Sequence, residues 1–189
     1  MNDYYSDEIY DKVSFTSQEF SKTDFDSCTF KNCDFSELHI NGSEFLECEF
    51  IDCNLSNARV KGSSFKENRF ENTKLVGIKF YEVDAFLFKV DFIKCNLDFS
   101  SFYQMTMENF RFFDCILEGV DFTETNLSGT HFDNCNLKDA IFDATNLENV
   151  DFSSAENFII DLEKNQLKGA TFSKSNVGNL LAKYKINII

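Results

Sequence analysis

Between Val90 and Ser154 the sequence repeats every five residues, and the third residue of every unit is Phe, Leu or Met. Typical units are VDFTE, TNLSG and CNLKD. A period of five matches neither the 3.6-residue repeat of an α-helix nor the two-residue repeat of a β-strand. It therefore predicts a solenoid whose chain turns a corner every five residues.

The repeat extends back to Val13, but its phase slips by two residues near Val83 and Asp84. If four units form one square coil, residues 20 apart stack on one another. We then expect the two extra residues to bulge one corner of a continuous tube, with Leu87 as the next inward residue. One predicted column of inward side chains is entirely phenylalanine: Phe30, Phe50, Phe70, Phe92, Phe112, Phe132 and Phe152.

All seven cysteines occupy the first position of a unit, which indicates a second set of small inward side chains. The alternative is a zinc site at Cys28, Cys33, Cys48 and Cys53, but structural zinc sites favour closely spaced pairs on turns. An odd number of cysteines indicates reduced thiols. We therefore expect neither metal nor any other cofactor.

The units resemble the consensus of the pentapeptide-repeat family, which is a small residue, Asp or Asn, Leu or Phe, and two polar residues. The resemblance implies an all-β fold, a right-handed quadrilateral β-helix. We expect about eight coils. Residues 1–12 are predicted to be an N-terminal cap, residues 13–174 the tube, and residues 175–189 a C-terminal helix and tail.

Apolar residues at the C-terminus follow the spacing of a short amphipathic α-helix. Such a helix would either cap the open end of the tube or bring two chains together there. The closing segment GNLLAKYKINII resembles the C-terminus of quinolone-resistance (Qnr-type) members of the family, which implies a homodimer. The residues expected at this contact are Val177, Leu180, Leu181, Tyr184, Ile186, Ile188 and Ile189.

The net charge of -14 disfavours direct nucleic-acid binding, because phosphate neutralisation requires Lys and Arg. Carboxylates repeated along a rod could instead imitate the charge of a duplex, or could only keep a repetitive rod soluble. The family resemblance implies DNA gyrase or topoisomerase IV as the partner, and resistance to quinolones or to a toxin. The outward acids predicted to form this surface are Asp114, Glu118, Asp121, Glu124, Asp133, Asp139, Asp143, Glu148 and Asp151.

A second candidate surface is an apolar patch on the middle coils, formed by Phe86, Phe88, Ile93 and Phe113. Exposed apolar patches usually mark contact sites, although the bulge could also fold over this one. This patch favours a protein-interaction scaffold as the alternative function.

Enzymatic activity is not expected, because His39 and His131 both occupy outward positions and no catalytic motif accompanies them. The sequence shows neither a secretory signal nor an apolar run long enough to span a membrane. We therefore expect a cytoplasmic protein that does not contact membranes.

Overall fold

The computed structural model describes residues 3–15 and 22–187, and the chain in it forms a parallel β-solenoid. The period of five produces this fold because it places a corner after every short segment of extended backbone. One sheet contains β1 (Asp3–Ser6), β3 (Thr23–Asp26), β5 (Glu44–Leu46) and β7 (Ser64–Lys66). The other contains β2 (Ile9–Asp11), β4 (Thr29–Lys31), β6 (Glu49–Ile51), β8 (Asn68–Glu71), β9 (Val90–Ile93), β10 (Arg111–Phe113) and β11 (His131–Asp133). The predicted β-helix is confirmed.

The seven strands of the larger sheet span six coil-to-coil steps. Two isolated bridges, from His131 to Asp151 and from Asp151 to Thr171, add two further steps to the same face. Isolated parallel bridges also connect successive coils on the other faces, so each face has its own column of stacked positions.

The pairing register locates the two-residue slip later than predicted. Ser64 still pairs with Asp84, which is 20 residues on, whereas Asn68 pairs with Val90, which is 22 residues on. The extra residues therefore lie between Asp84 and Val90, and not at Val83 and Asp84. Val83 instead keeps the regular inward orientation and is buried.

Stacked phenylalanine rings fill the tube, as the sequence predicts. In the all-phenylalanine column the ring centroid of Phe112 lies 5.3 Å from that of Phe92 and 5.2 Å from that of Phe132. The longest step in the column, 5.8 Å between Phe70 and Phe92, spans the slip. Phe112 also meets Phe102 of an adjacent column edge to face. Each ring thus combines burial with stacked and edge-to-face contacts, which add to its hydrophobic contribution.

The corners require a left-handed backbone, and polar residues supply most of them. Asn134 and Glu124, for example, have φ of 53° and 55°. Gly129 adopts φ of 71° at a corner where a Cβ atom would collide with the side chain of Asn109. Asn109 and Asn149 adopt a similar φ at the equivalent corners of the adjacent coils, so glycine at 129 mainly leaves space for the Asn109 side chain.

The interior departs from the five-residue phase at two places where the repeat is irregular. After the slip, Phe88 is buried with 8% of its surface exposed, whereas Leu87 is 62% exposed at a left-handed φ of 60°. Near the C-terminal end, Phe158 and Ile160 fill the core, and Leu162 is 42% exposed.

The C-terminal helix, Val177–Tyr184, is a 3₁₀ helix and not the predicted α-helix. Asn179 N–H donates to the Asn176 carbonyl, three residues back, and Lys185 N–H donates likewise to the Ala182 carbonyl. Side chains three residues apart eclipse each other in this geometry. Leu180 and Lys183 therefore fall on one side of the helix, and both engage the tube.

A second, single-turn 3₁₀ helix, Phe80–Glu82, forms one corner just before the slip.

Candidate functional site

The predicted acidic residues lie outside the tube, and two of them, Asp121 and Asp151, are held by the backbone two residues further on. The Asp121 carboxylate accepts a hydrogen bond from Thr123 N–H at 2.9 Å, and the Asp151 carboxylate accepts one from Ser153 N–H at 2.8 Å. The same turn forms at Asn126, Asn136 and Asn146, so the second position of a unit directs these two acidic side chains.

Four of the nine predicted acids are partly neutralised by ion pairs. Glu118 lies 2.6 Å from Lys138 Nζ, and Asp139 lies 3.8 Å from the same atom. The other two pairs join Asp133 to Arg111 at 2.6 Å and Asp143 to Lys164 at 3.3 Å. These four acids are therefore weaker candidates for a partner surface.

Asp151 lies beside His131, and its carboxylate is 3.8 Å from His131 Nδ1. Partial burial raises the pKa of Asp151, but hydrogen bonds from Ser153 and the nearby imidazole outweigh burial. The pKa of Asp151 therefore lies below its ordinary value, and this carboxylate remains charged at neutral pH.

The remaining acids, Asp114, Asp121, Glu124 and Glu148, form no ion pair within the described portion of the chain. Asp121 and Glu124 flank the buried Phe122 and share one face. Asp114 and Glu148 lie on two other faces. The predicted acidic surface is thus a ring around the coils and not one continuous stripe.

The apolar patch exists but its membership differs from the prediction. Phe88 does not belong to it, because its ring is buried and stacks on Phe110 at 5.8 Å. Phe86 is 69% exposed, and the adjacent Leu87 is 62% exposed. The bulge therefore displays apolar side chains and does not cover them.

Ile93 and Phe113 lie side by side on β9 and β10 and are half-buried. The Arg111 guanidinium lies 5.7 Å from the centre of the Phe113 ring, within range of a cation–π contact. A groove of about 550 Å³ beside the bulge is lined by Leu46, Leu87 and Phe110 and bordered by charged residues. Sequence reasoning missed Leu87 because the phase of the repeat predicted an inward position for it.

The C-terminal helix closes the end of its own tube. Asn176 donates hydrogen bonds to the carbonyls of Phe152 at 2.8 Å and Ala155 at 3.0 Å, and Leu180 is 9% exposed. Lys183 Nζ lies 2.6 Å from Asp161 and 3.2 Å from Glu163. Leu180 therefore packs against its own chain and not at the surface predicted for the dimer contact.

Other members of the predicted dimer contact are accessible: Val177, Tyr184 and Ile186 are exposed, and Leu181 is half-buried. Ile188 and Ile189 lie outside the described residues. An apolar end surface thus remains beside the buried Leu180.

The seven cysteines are buried and carry free thiols. Cys95, Cys115 and Cys135 each place Sγ 3.3–3.4 Å from a carbonyl oxygen of the preceding coil. Burial raises the pKa of Cys48 and of Cys53 to about 12. Within residues 3–15 and 22–187, no cluster of three or more His, Cys, Asp or Glu side chains could hold a metal ion.

Neither helix in the portion of the chain that the structure describes combines the length and the apolar character that a membrane span requires.

The sequence model for the pentapeptide repeat region matches residues 23–86 and 85–172. The chain belongs to the pentapeptide-repeat family. No curated protein sequence matches this pentapeptide-repeat protein significantly.

Solved structures share the fold at low sequence identity. Two trypsin-treated variants of QnrB1, described as a plasmid-mediated fluoroquinolone resistance protein, match with TM-scores of 0.66 at 19% and 18% identity. The matches cover 100% of this chain and 98% and 100% of theirs. HetL, a pentapeptide repeat protein involved in heterocyst differentiation regulation from Nostoc sp. strain PCC 7120, matches with a TM-score of 0.50 at 14% identity, covering 90% of this chain and 84% of HetL.

Proposed function

We propose that this pentapeptide-repeat protein is a non-enzymatic binding protein whose acidic coils imitate duplex DNA toward a type II topoisomerase. The partner would be DNA gyrase or topoisomerase IV, and the effect would be resistance to quinolones or to a toxin. The observation that carries the proposal is the charge density of residues 112–163, which hold twelve acids and one base, a net charge of -11.

The charge density is comparable to that of DNA. With 20 residues per coil and about 4.8 Å between coils, this segment is roughly 12 Å long. Arg111, Lys164 and Lys183 pair with acids of the segment from outside it. About eight net charges therefore remain, about one per 1.5 Å of axis, against about 1.7 Å per charge in duplex DNA. The carboxylates without Lys or Arg partners, such as Asp121 and Glu124, can meet a cationic groove without first breaking an ion pair. The fold shared with QnrB1, which is described as a fluoroquinolone resistance protein, supports quinolone resistance as the effect.

A supercoiling assay with gyrase, with and without ciprofloxacin, tests the proposal. The wild-type protein should alter supercoiling or relieve drug inhibition. A variant with Asp114→Asn, Asp121→Asn, Glu124→Gln and Glu148→Gln should lose that effect. A matched control, Asp7→Asn, Glu37→Gln, Glu47→Gln and Asp52→Asn, also removes four charges, at left-handed corners of the N-terminal coils, and should behave as wild type. Identical results for wild type, neutralised variant and control would reject DNA mimicry.

Two copies could present a longer acidic rod by meeting at the C-terminal end. The exposed Val177, Tyr184 and Ile186 support this end-to-end homodimer. A Tyr184→Glu variant should sediment as a smaller species than wild type, while Lys174→Glu should not.

A protein-interaction scaffold is the second candidate function, favoured by the groove beside the bulge and the exposed Phe86 and Leu87. In a pull-down, Leu87→Asp and Ile93→Asp should then abolish capture of the partner, and the neutralised acidic variant should retain it. The opposite pattern supports DNA mimicry.

A further inference from the structure

One face of the tube reverses its charge along the axis. Its core is the stack of Phe80, Phe102, Phe122 and Phe142, whose successive ring centroids are 4.6, 5.5 and 5.3 Å apart. The residues that flank this stack and the preceding Val60 on the outside form what we term the bipolar face.

The N-terminal half of the bipolar face is basic. Arg59, Lys61 and Lys79 are exposed and line a cleft of about 530 Å³, in which Glu82 is the one acidic lining residue among those described. None of the three cations forms an ion pair with a described residue, although seven other Lys and Arg side chains do. This cleft is thus a local cationic site in a chain whose net charge is -14.

The C-terminal half of the same face is acidic. Asp121 accepts a hydrogen bond from the Ser101 hydroxyl at 3.2 Å, and Glu124 accepts one from the Gln104 amide at 2.8 Å. Neutral donors therefore hold both carboxylates in place without cancelling their charge. One coil further on, Asp143 is paired with Lys164 and adds little charge to the acidic half.

The two halves are related by a simple symmetry. We call each coil's position on this face a level. Arg59 lies one coil before Lys79, Lys79 pairs with Ser101, and Ser101 pairs with Asp121, so Arg59 lies three levels before Asp121. The midpoint falls between the levels of Lys79 and Ser101, where the rings of Tyr81 and Tyr103 meet edge to face at 6.2 Å. A twofold axis through this midpoint, perpendicular to the tube, exchanges the basic and acidic levels.

We propose that two copies of this chain associate side by side and antiparallel through the bipolar face. Arg59 and Lys61 of each copy then face Asp121 and Glu124 of the second copy, and every contact occurs twice, as in any isologous interface. A parallel arrangement would place like charges opposite each other and is disfavoured. The contact is separate from the C-terminal end, and it does not rest on the proposed topoisomerase partner.

The face is small, so the association should be reversible. Its five levels, from Val60 to Phe142, extend over roughly 20 Å, and a face about 10 Å wide buries less than the ~800 Å² per partner of a standard interface. Because the complementary charges are exposed, the association should strengthen at low ionic strength and weaken as salt screens them.

Charge reversal on the full-length chain tests the proposal by sedimentation velocity at about 20 mM and about 500 mM NaCl. Arg59→Glu with Lys61→Glu, and separately Asp121→Lys with Glu124→Lys, should each lose the salt-sensitive dimer. An equimolar mixture of the two variants should form a heterodimer at least about tenfold tighter than the wild-type dimer, because positions 59, 61, 121 and 124 are then all acidic on one face and all basic on the other.

Matched controls reverse charges on other faces: Lys74→Glu with Lys94→Glu, and Asp114→Lys with Glu148→Lys. These should retain the wild-type dimer. Lysine at the corner position of Glu124 is compatible with the backbone, since Lys94 adopts φ of 53° at an equivalent corner.

Disulfide trapping distinguishes this contact from end-to-end association. Mixed Tyr81→Cys and Tyr103→Cys copies should cross-link across the twofold axis, and the native cysteines are buried and should not compete. Folded reversed variants whose mixture stays monomeric would overturn the proposal. So would a wild-type monomer at low salt that binds inorganic phosphate in the cleft, with binding lost in Arg59→Glu with Lys61→Glu, because the cleft would then be a small-anion site.

Discussion

Lys183 Nζ lies 2.6 Å from Asp161 Oδ1, and this contact joins the C-terminal helix to the coil that it covers. The ammonium group lowers the pKa of Asp161 below its ordinary value, and the carboxylate raises the pKa of Lys183. Stability from the pair is therefore present above the unfolded-state pKa of Asp161, about 3.9, and is lost as pH falls through the lower folded-state pKa.

Replacing Lys183 by Met should lower the thermal midpoint at pH 7, and the difference from wild type should shrink toward zero in strong acid. Melting curves followed by circular dichroism at several pH values provide the measurement. Lys174→Met removes a nearby cation that forms no ion pair in the described chain and should leave the midpoint unchanged. A difference that persists at the lowest pH would show that the Lys183 ammonium acts in another way.

Truncation of the buried Phe112 ring should be among the changes that lower the free energy of unfolding most. Phe112→Ala should reduce the free energy of unfolding by about 3–5 kcal/mol, because it leaves a cavity between Phe92 and Phe132 that the stacked coils cannot close. Urea titration measures the loss. Phe99 is 68% exposed, and Phe99→Ala should cost no more than about 0.5 kcal/mol. Equal losses for the two variants would contradict the stacking argument.

Buried hydroxyls connect successive coils in the same way as the thiols. Thr130 Oγ1 donates to the Met107 carbonyl at 2.9 Å, so Thr130→Val should cost about 1–2 kcal/mol through the lost hydrogen bond. Thr130→Cys keeps a weak donor, so its free energy of unfolding should lie between those of wild type and Thr130→Val. The exposed Thr106 serves as control, since Thr106→Val removes no buried donor. If Thr130→Val leaves the chemical denaturation midpoint at the wild-type value, this bond is energetically neutral.

The native protein should resist thiol reagents. The pKa of Cys48 and of Cys53 is about 12 because burial disfavours the thiolate. Reaction with a chromogenic disulfide reagent at pH 8 should therefore consume little thiol until denaturant is added, and then all seven cysteines should react. Ser154→Cys, at an exposed site, should react at once. Rapid labelling of the native wild type would mean that the coils open readily.

Leu87 combines an exposed apolar side chain with a left-handed backbone, and both features are unfavourable in isolation. Leu87→Asn should raise the free energy of unfolding by up to about 1 kcal/mol, because Asn tolerates this conformation better. Chemical denaturation of the two proteins gives the comparison. A loss of stability on Leu87→Asn would indicate that Leu87 packs more tightly than its exposure suggests. Stability gained together with loss of partner capture would mark the bulge as functional.

The regular portion of the tube was predictable because the same requirement, an inward side chain at the first and third positions of each unit, repeats without interruption. Phe112 and Cys115 point inward for the same reason as their counterparts 20 residues away, so period and stacking agree along the chain. Phase alone cannot say which residue of an irregular segment enters the core. Around the slip, Phe88 was buried in preference to Leu87, and at the C-terminal end Ile160 was buried in preference to Leu162.

The positions of the outward acids were predictable from the sequence, but the net charge that remains after ion pairing was not. Outward orientation follows from the repeat, whereas neutralisation depends on which side chains stack across coils. Lys138 reaches back one coil to Glu118, and Lys164 reaches back to Asp143. The charge reversal on the bipolar face likewise becomes visible only once the columns are in register.

The slip between Asp84 and Val90 shows that the tube tolerates local changes in length. Two extra residues displace one corner, yet the strands on either side pair without interruption and the phenylalanine column continues. A corner of this tube can therefore accept inserted or exchanged residues while the side chains of the adjoining coils keep their orientation. New contact surfaces can arise one corner at a time on a scaffold that remains unchanged.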